Sequence, residues 1–123
     1  MTRKILVVED DEPILDLMDL LIRKLGYDPV LISNGPDALE YARREPPALI
    51  LLDIMMTPIS GWEFLEQLRA EPALQNLPVI IFSASPSVEE RMATINDPNL
   101  GVLHKPVSFT ELKNGIERSI GKR

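Results

Sequence analysis

Cysteine is absent from this chain, which excludes disulfides, thiolate metal sites and cysteine nucleophiles. Histidine occurs once, as His104, so a zinc site of the usual multi-ligand kind has no donors to draw on. No apolar run approaches the roughly 20 residues that span a bilayer. Only Ile5-Leu6-Val7-Val8 follow the basic Arg3-Lys4, far short of a signal-peptide core, so a cytoplasmic chain away from membranes is expected. A surplus of positive charge is missing too. Lys and Arg number 13 against 19 Asp and Glu, a net charge of −6, with no basic stripe or aromatic-rich patch for nucleic acid. Neither glycine-rich phosphate loop, Gly-x-Gly-x-x-Gly or Gly-x-x-x-x-Gly-Lys, is found, which removes the main support for a nucleotide site. There is no internal repeat, low-complexity tract or linker. The 123 residues, 45% of them apolar, are enough for one sizeable core, and residues 1–123 are expected to form a single domain.

What is present starts with Ile5-Leu6-Val7-Val8, a short β-branched run of the kind that forms a central parallel strand. It runs straight into Glu9-Asp10-Asp11-Glu12. Asp11 and Glu12 suit a helix cap and first turn before Pro13. Crowded carboxylates repel unless protonated or sharing a cation, and an all-oxygen cluster suits a hard ion such as Mg²⁺. Taken alone, Glu9 and Asp10 are equally well read as a solvated face.

Strand-like and helix-like segments alternate five times, with strands expected over residues 4–8, 29–32, 48–52, 78–82 and 101–103. Ile14, Leu17, Met18, Leu21 and Leu25 make an amphipathic stripe that Gly26 closes. A second helix follows Asn34-Gly35-Pro36 and stops before Pro46-Pro47. Ser60-x-x-Glu63 and Ser108-x-x-Glu111 are capping boxes that open the third and fifth helices. A weaker fourth helix runs from Ser87 to about residue 95, and the last buries Phe109, Leu112, Ile116 and Ile120. Strand–helix–strand units with short connections imply right-handed crossovers. The pattern is α/β: a flavodoxin-like (βα)5 three-layer sandwich, its parallel five-stranded sheet in the order 2-1-3-4-5 with helices on both faces.

Ligands in such sheets bind beyond the carboxyl ends of the strands. Those ends carry Glu9-Asp10, Asp53, Ser83-Ala84 and His104-Lys105-Pro106, so three acids, a hydroxyl and a lysine converge on one rim. Individually, Asp53 and Ser83 also fit turn or cap roles, and Lys105 an ordinary surface position. His104, before a strand end rather than on an exposed helix, reads as structural. Trp62 reads as partly buried packing, and Met55-Met56 as filler of the core and the loop after Asp53.

Val8-Glu9-Asp10-Asp11, Asp53 followed by Met56 and Gly61, Ser83-Ala84 and Lys105-Pro106 together resemble the receiver domain of bacterial two-component response regulators, over the full length. The intervals agree: 30 residues from Asp53 to Ser83 and 22 from Ser83 to Lys105. The resemblance implies that Asp53 is the phospho-acceptor, taking a phosphoryl group from a sensor histidine kinase, a phosphotransfer protein or a small phosphodonor. It implies Mg²⁺ bound by Asp10 and Asp53, by Glu9 through water, and by the Met55 carbonyl. Lys105, Ser83 and the Ala84 N–H would neutralise the phosphoryl oxygens, with Lys105–Pro106 in a cis bond. A downstream protein would then dock on a face that includes Glu89, Glu90, Arg91, Val102 and Lys113, by a chain expected to be a monomer or weak dimer.

Three positions depart from the family pattern. Thr57-Pro58 displaces the usual proline by one residue, which implies a re-shaped loop. Val102 stands where an aromatic switch residue is common. Asn96-Asp97-Pro98-Asn99-Leu100-Gly101 replaces a compact turn and reads as an irregular, mobile connection. Since the chain ends after the fifth helix, a signalling module without an output domain of its own is expected. Two alternatives stay open: a docking module that works without phosphorylation, which the intact Asp10, Asp53 and Lys105 argue against and Val102 keeps alive, and a Mg²⁺-dependent phosphohydrolase. The latter needs a general acid, commonly two residues past the nucleophile, where Met55 stands.

Overall fold

The structure is a computed structural model that describes residues 3–84 and 87–121. Its elements alternate as the sequence pattern implies: β1 Lys4–Val8, α1 Glu12–Lys24, β2 Asp28–Ile32, α2 Gly35–Arg44, β3 Leu49–Asp53, α3 Gly61–Ala70, β4 Val79–Ser83, α4 Ser87–Met92, β5 Leu100–His104 and α5 Phe109–Ile120. The strands pair in parallel in the order β2-β1-β3-β4-β5. This is the expected flavodoxin-like sheet.

Period-two alternation divides the strand side chains between two cores. Ile5, Val7, Leu49, Leu51, Ile80 and Phe82 pack with α1 and α5, through Leu15, Met18, Ile22, Leu112 and Ile116. Leu6, Val8, Ile50, Leu52 and Val79 pack with α2 and α3, through Ala38, Leu39, Phe64, Leu65 and Leu68. A third, small cluster of Ile54, Ile81 and Val88 seats α4 and draws in Trp62 and Val102.

Both expected capping boxes form: Ser60 Oγ accepts from the Glu63 N–H at 3.2 Å and Ser108 Oγ from the Glu111 N–H at 3.1 Å. Asp11 is the N-cap of α1, with Glu12 in the first turn, but its side chain makes no capping bond. Gly26, at φ 91°, ends that helix as expected.

Three local expectations are corrected. The buried stripe of α1 is rotated: Leu15, Met18 and Ile22 are inside, while Leu17 is 47% exposed. Phe109 is 40% exposed because α5 turns only Leu112, Gly115 and Ile116 fully to the sheet. Helix α4 stops at Met92. There the backbone shifts to tighter bonds, Thr94 N–H to Arg91 O and Ile95 N–H to Met92 O, and Thr94 Oγ1 donates back to Arg91 O at 2.8 Å, the competition a threonine offers a helix.

The connection before β5 is irregular but tethered. Arg69 Nε bonds Asp97 Oδ2 at 2.8 Å, and its other nitrogens reach the carbonyls of Leu77, Leu74 and Asn99 at 2.7, 3.3 and 3.4 Å. Among the described residues two X–Pro bonds are cis, Thr57–Pro58 and Lys105–Pro106; the second is the one the family resemblance implies.

Candidate functional site

The register of the sheet builds the site. Val8 pairs with Leu52, so the next step brings Glu9 level with Asp53; Asp53 pairs with Phe82, and Phe82 with Leu103. Glu9, Asp53 and Phe82 thus continue the alternation of Val7, Leu51 and Ile80 and share the α1/α5 side of the sheet. Lys105 lies two residues past Leu103. Its N–H bonds the Ser83 carbonyl at 3.0 Å, which ties the β5–α5 loop to the end of β4.

Glu9 is 1% and Asp53 3% exposed, and Asp10 opens to solvent. One carboxylate oxygen from each lies within 4.8 Å of the others. Lys105 Nζ meets Glu9 Oε2 at 3.0 Å and Asp53 Oδ1 at 3.4 Å, and sits 5.0 Å from the centroid of the Phe82 ring. Glu9 Oε1 also accepts from the Asp11 N–H at 3.2 Å. Burial pushes the Glu9 carboxyl up to about 7, against the pull of Lys105 and with a further push from Asp53. Three carboxylates against one ammonium leave surplus negative charge on an all-oxygen donor set, the chemistry a hard divalent cation matches.

The remaining expected residues sort clearly. Ser83 is buried, 1% exposed, at the end of β4, and Ala84 beside it is exposed. The Met55 N–H bonds Asp53 Oδ1 at 3.3 Å, so its backbone borders that carboxylate. Its side chain is 71% exposed and fills no core; Met56 alone does that. Gly61 backs the site from α3: a Cβ there would stand 2.4 Å from the Asp53 carbonyl oxygen. His104 is exposed and pairs with Glu89 at 2.8 Å, joining β5 to α4. Trp62 is half-buried as expected, with the Arg91 guanidinium 5.0 Å over its ring. Glu89, Glu90, Arg91 and Lys113 are exposed and Val102 half-buried.

Two residues escaped the sequence reading. Phe82 looked like one more apolar strand residue, and only its pairing with Asp53 marks it as part of the rim. Arg69 carries no local signal of its four acceptors, which only the fold brings together.

The family model of the response regulator receiver domain matches residues 5–117. The chain belongs to that family, the receivers of two-component systems. The alkaline phosphatase synthesis transcriptional regulatory protein PhoP of Bacillus subtilis is 38% identical over 117 residues, 95% of this chain and 48% of that protein. The transcriptional regulatory protein HprR of Escherichia coli is 35% identical over 109 residues, 89% of this chain and 48% of that one. The chain spans about half the length of the curated relatives it matches. Among solved structures, the receiver domain of sensor histidine kinase PA1611 from Pseudomonas aeruginosa, with a magnesium ion coordinated in its active-site cleft, has a TM-score of 0.86 at 28% identity. That match covers 99% of this chain and 100% of the other. The N-terminal domain of a response regulator receiver protein from Methanoculleus marisnigri has a TM-score of 0.73 at 34% identity, over 100% of both chains.

Proposed function

We propose that this chain is a phosphorylation-dependent signalling module in which Asp53 accepts a phosphoryl group. The observation that carries the reading is a buried Asp53 carboxylate held 3.4 Å from the Lys105 ammonium, with Glu9 and Asp10 drawn around it. In the transfer, an Asp53 carboxylate oxygen attacks phosphorus as the bond to the donor's imidazole nitrogen or acyl oxygen breaks, and the leaving group takes the electron pair. Asp53 gives up no proton, so the step needs positioning and charge neutralisation rather than a general base.

Asp10, Asp53 and the Met55 carbonyl would hold Mg²⁺, with Glu9 acting through water; the ion supplies neutralising charge for the phosphoryl oxygens. Lys105 leaves its carboxylate partners to meet a second oxygen, and the Ser83 hydroxyl with the Ala84 N–H meets a third. The new dianion then biases β4, β5 and α4. Ile54, one residue past Asp53, already packs in the cluster that seats α4 through Val88. With Val102 in that cluster, this packing transmits the signal without a swinging aromatic ring. The phosphodonor is a sensor histidine kinase or phosphotransfer protein, the output a protein partner on the α4–β5–α5 face, and the chain itself contacts no nucleic acid. It would catalyse its own phosphorylation from small donors and its own dephosphorylation. A hydrolase is disfavoured because the solvent-facing Met55 side chain carries no proton to donate.

Incubation with acetyl phosphate and Mg²⁺ followed by intact-mass measurement tests the reading. One added phosphoryl group, absent in Asp53→Asn, is expected. No adduct on the unmodified protein favours a docking module that works without phosphorylation.

A further inference from the structure

Strand order sets a geometric problem that Phe82 solves. Lys105 leaves β5, its targets stand on β3 and β1, and β4 lies between. Adjacent strands are about 4.8 Å apart, so the ammonium must cross a whole strand to reach Asp53. The residue of β4 level with Asp53 is Phe82, and Lys105 Nζ lies 5.0 Å from its ring centroid. The ring is 1% exposed, fixed in the core between the strands and helices α1 and α5. The ammonium therefore lies over a buried π face while it also meets carboxylate oxygens at 3.0 and 3.4 Å.

We propose that Phe82 is a positioning residue for Lys105, its ring quadrupole holding the ammonium over β4 beside Asp53. The inference rests on Asp53 being the acceptor. A π face suits this place for a stated reason. It attracts a cation within about 6 Å while adding no formal negative charge to a site that must receive a phosphoryl dianion. An aliphatic residue fills the same space but leaves the ammonium to its nearer partner, Glu9, and away from Asp53. In phosphorylation by acetyl phosphate, the bond from phosphorus to the acyl oxygen breaks, the bond to Asp53 forms and acetate departs. The ammonium must already be placed when that charge develops.

The test replaces Phe82 site-specifically with mono-, di- and trifluorinated phenylalanine, which weakens the π face while nearly preserving shape. The rate of adduct formation with acetyl phosphate and Mg²⁺ is read by intact mass, and the melting temperature is taken alongside. The rate is expected to fall stepwise, to about fivefold slower for the trifluorinated ring, with the melting temperature unchanged or raised, because fluorination enlarges apolar surface. Phe82→Leu should slow the reaction by a similar factor. A flat rate across the series, or rate and melting temperature falling together, overturns the proposal. Absence of adduct on the unmodified protein defeats the Asp53 reading itself, whereas an adduct with a flat series defeats only the role of the ring.

Discussion

Lys105 is one cation among three acids, and its neighbours depend on it. Removing the ammonium leaves Glu9 and Asp53 buried without their ion partner, a loss of the order of 1–3 kcal/mol. Lys105→Met in chelator is therefore expected to melt several degrees below wild type, and Mg²⁺ should restore more stability to the variant than to wild type. Thermal unfolding with and without Mg²⁺ checks both. Glu9 carries the pH dependence. Its folded-state value near 7 lies above the ordinary 4.5, so the metal-free folded protein binds a proton there that the unfolded chain releases. That contribution is present below about pH 4.5, lost as pH rises toward 7 and flat above. The difference in unfolding free energy between wild type and Glu9→Gln, measured in chelator, should tilt against wild type by up to about 3 kcal/mol across that window. A difference that is level with pH would contradict it.

Helix α3 and the connection before β5 act as one element through Arg69. A lysine cannot span the carboxylate of Asp97 and three carbonyls at once, because it lacks the rigid fork of a guanidinium. Arg69→Lys and Arg69→Ala should cost about 1 and 2–3 kcal/mol respectively. Hydrogen exchange should quicken at the N–H of Asn99 and Leu100, which now bond to Asp97. At the other end of α3, Gly61 allows the helix to approach the Asp53 backbone. Gly61→Ala places a methyl 2.4 Å from the Asp53 carbonyl oxygen and 2.8 Å from the Ile54 Cα, against backbone that cannot rotate away. A loss of about 3 kcal/mol or more is expected, read as a lowered melting temperature with slower phosphorylation at temperatures where the variant stays folded.

For the molecule as a whole, a cation that binds only the folded rim stabilises the whole chain by linkage. Ten times its dissociation constant of Mg²⁺ adds about 1.4 kcal/mol, a rise of a few degrees in melting temperature for a domain of this size. The rise should vanish in Asp10→Asn and Asp53→Asn. Equal rises in wild type and both variants would place the cation elsewhere.

At that same scale, the alternation of apolar runs and helical stripes was enough to order the sheet and to name the rim, because short βα connections leave one handedness and because strand ends are where an apolar run must meet water. The gathering of Glu9, Asp10, Asp53 and Lys105 was legible for that reason. So were the capping boxes, which are local chemistry. The face of α1 that turns inward, the exposure of Phe109 and Met55, and the four acceptors of Arg69 were not, because each depends on which surface packs opposite. Phe82 shows the division most clearly. Its place in a strand follows from its neighbours in sequence, but that it stands level with Asp53 on the strand between β3 and β5 follows only from parallel register across three strands, which brings together residues that local sequence keeps apart.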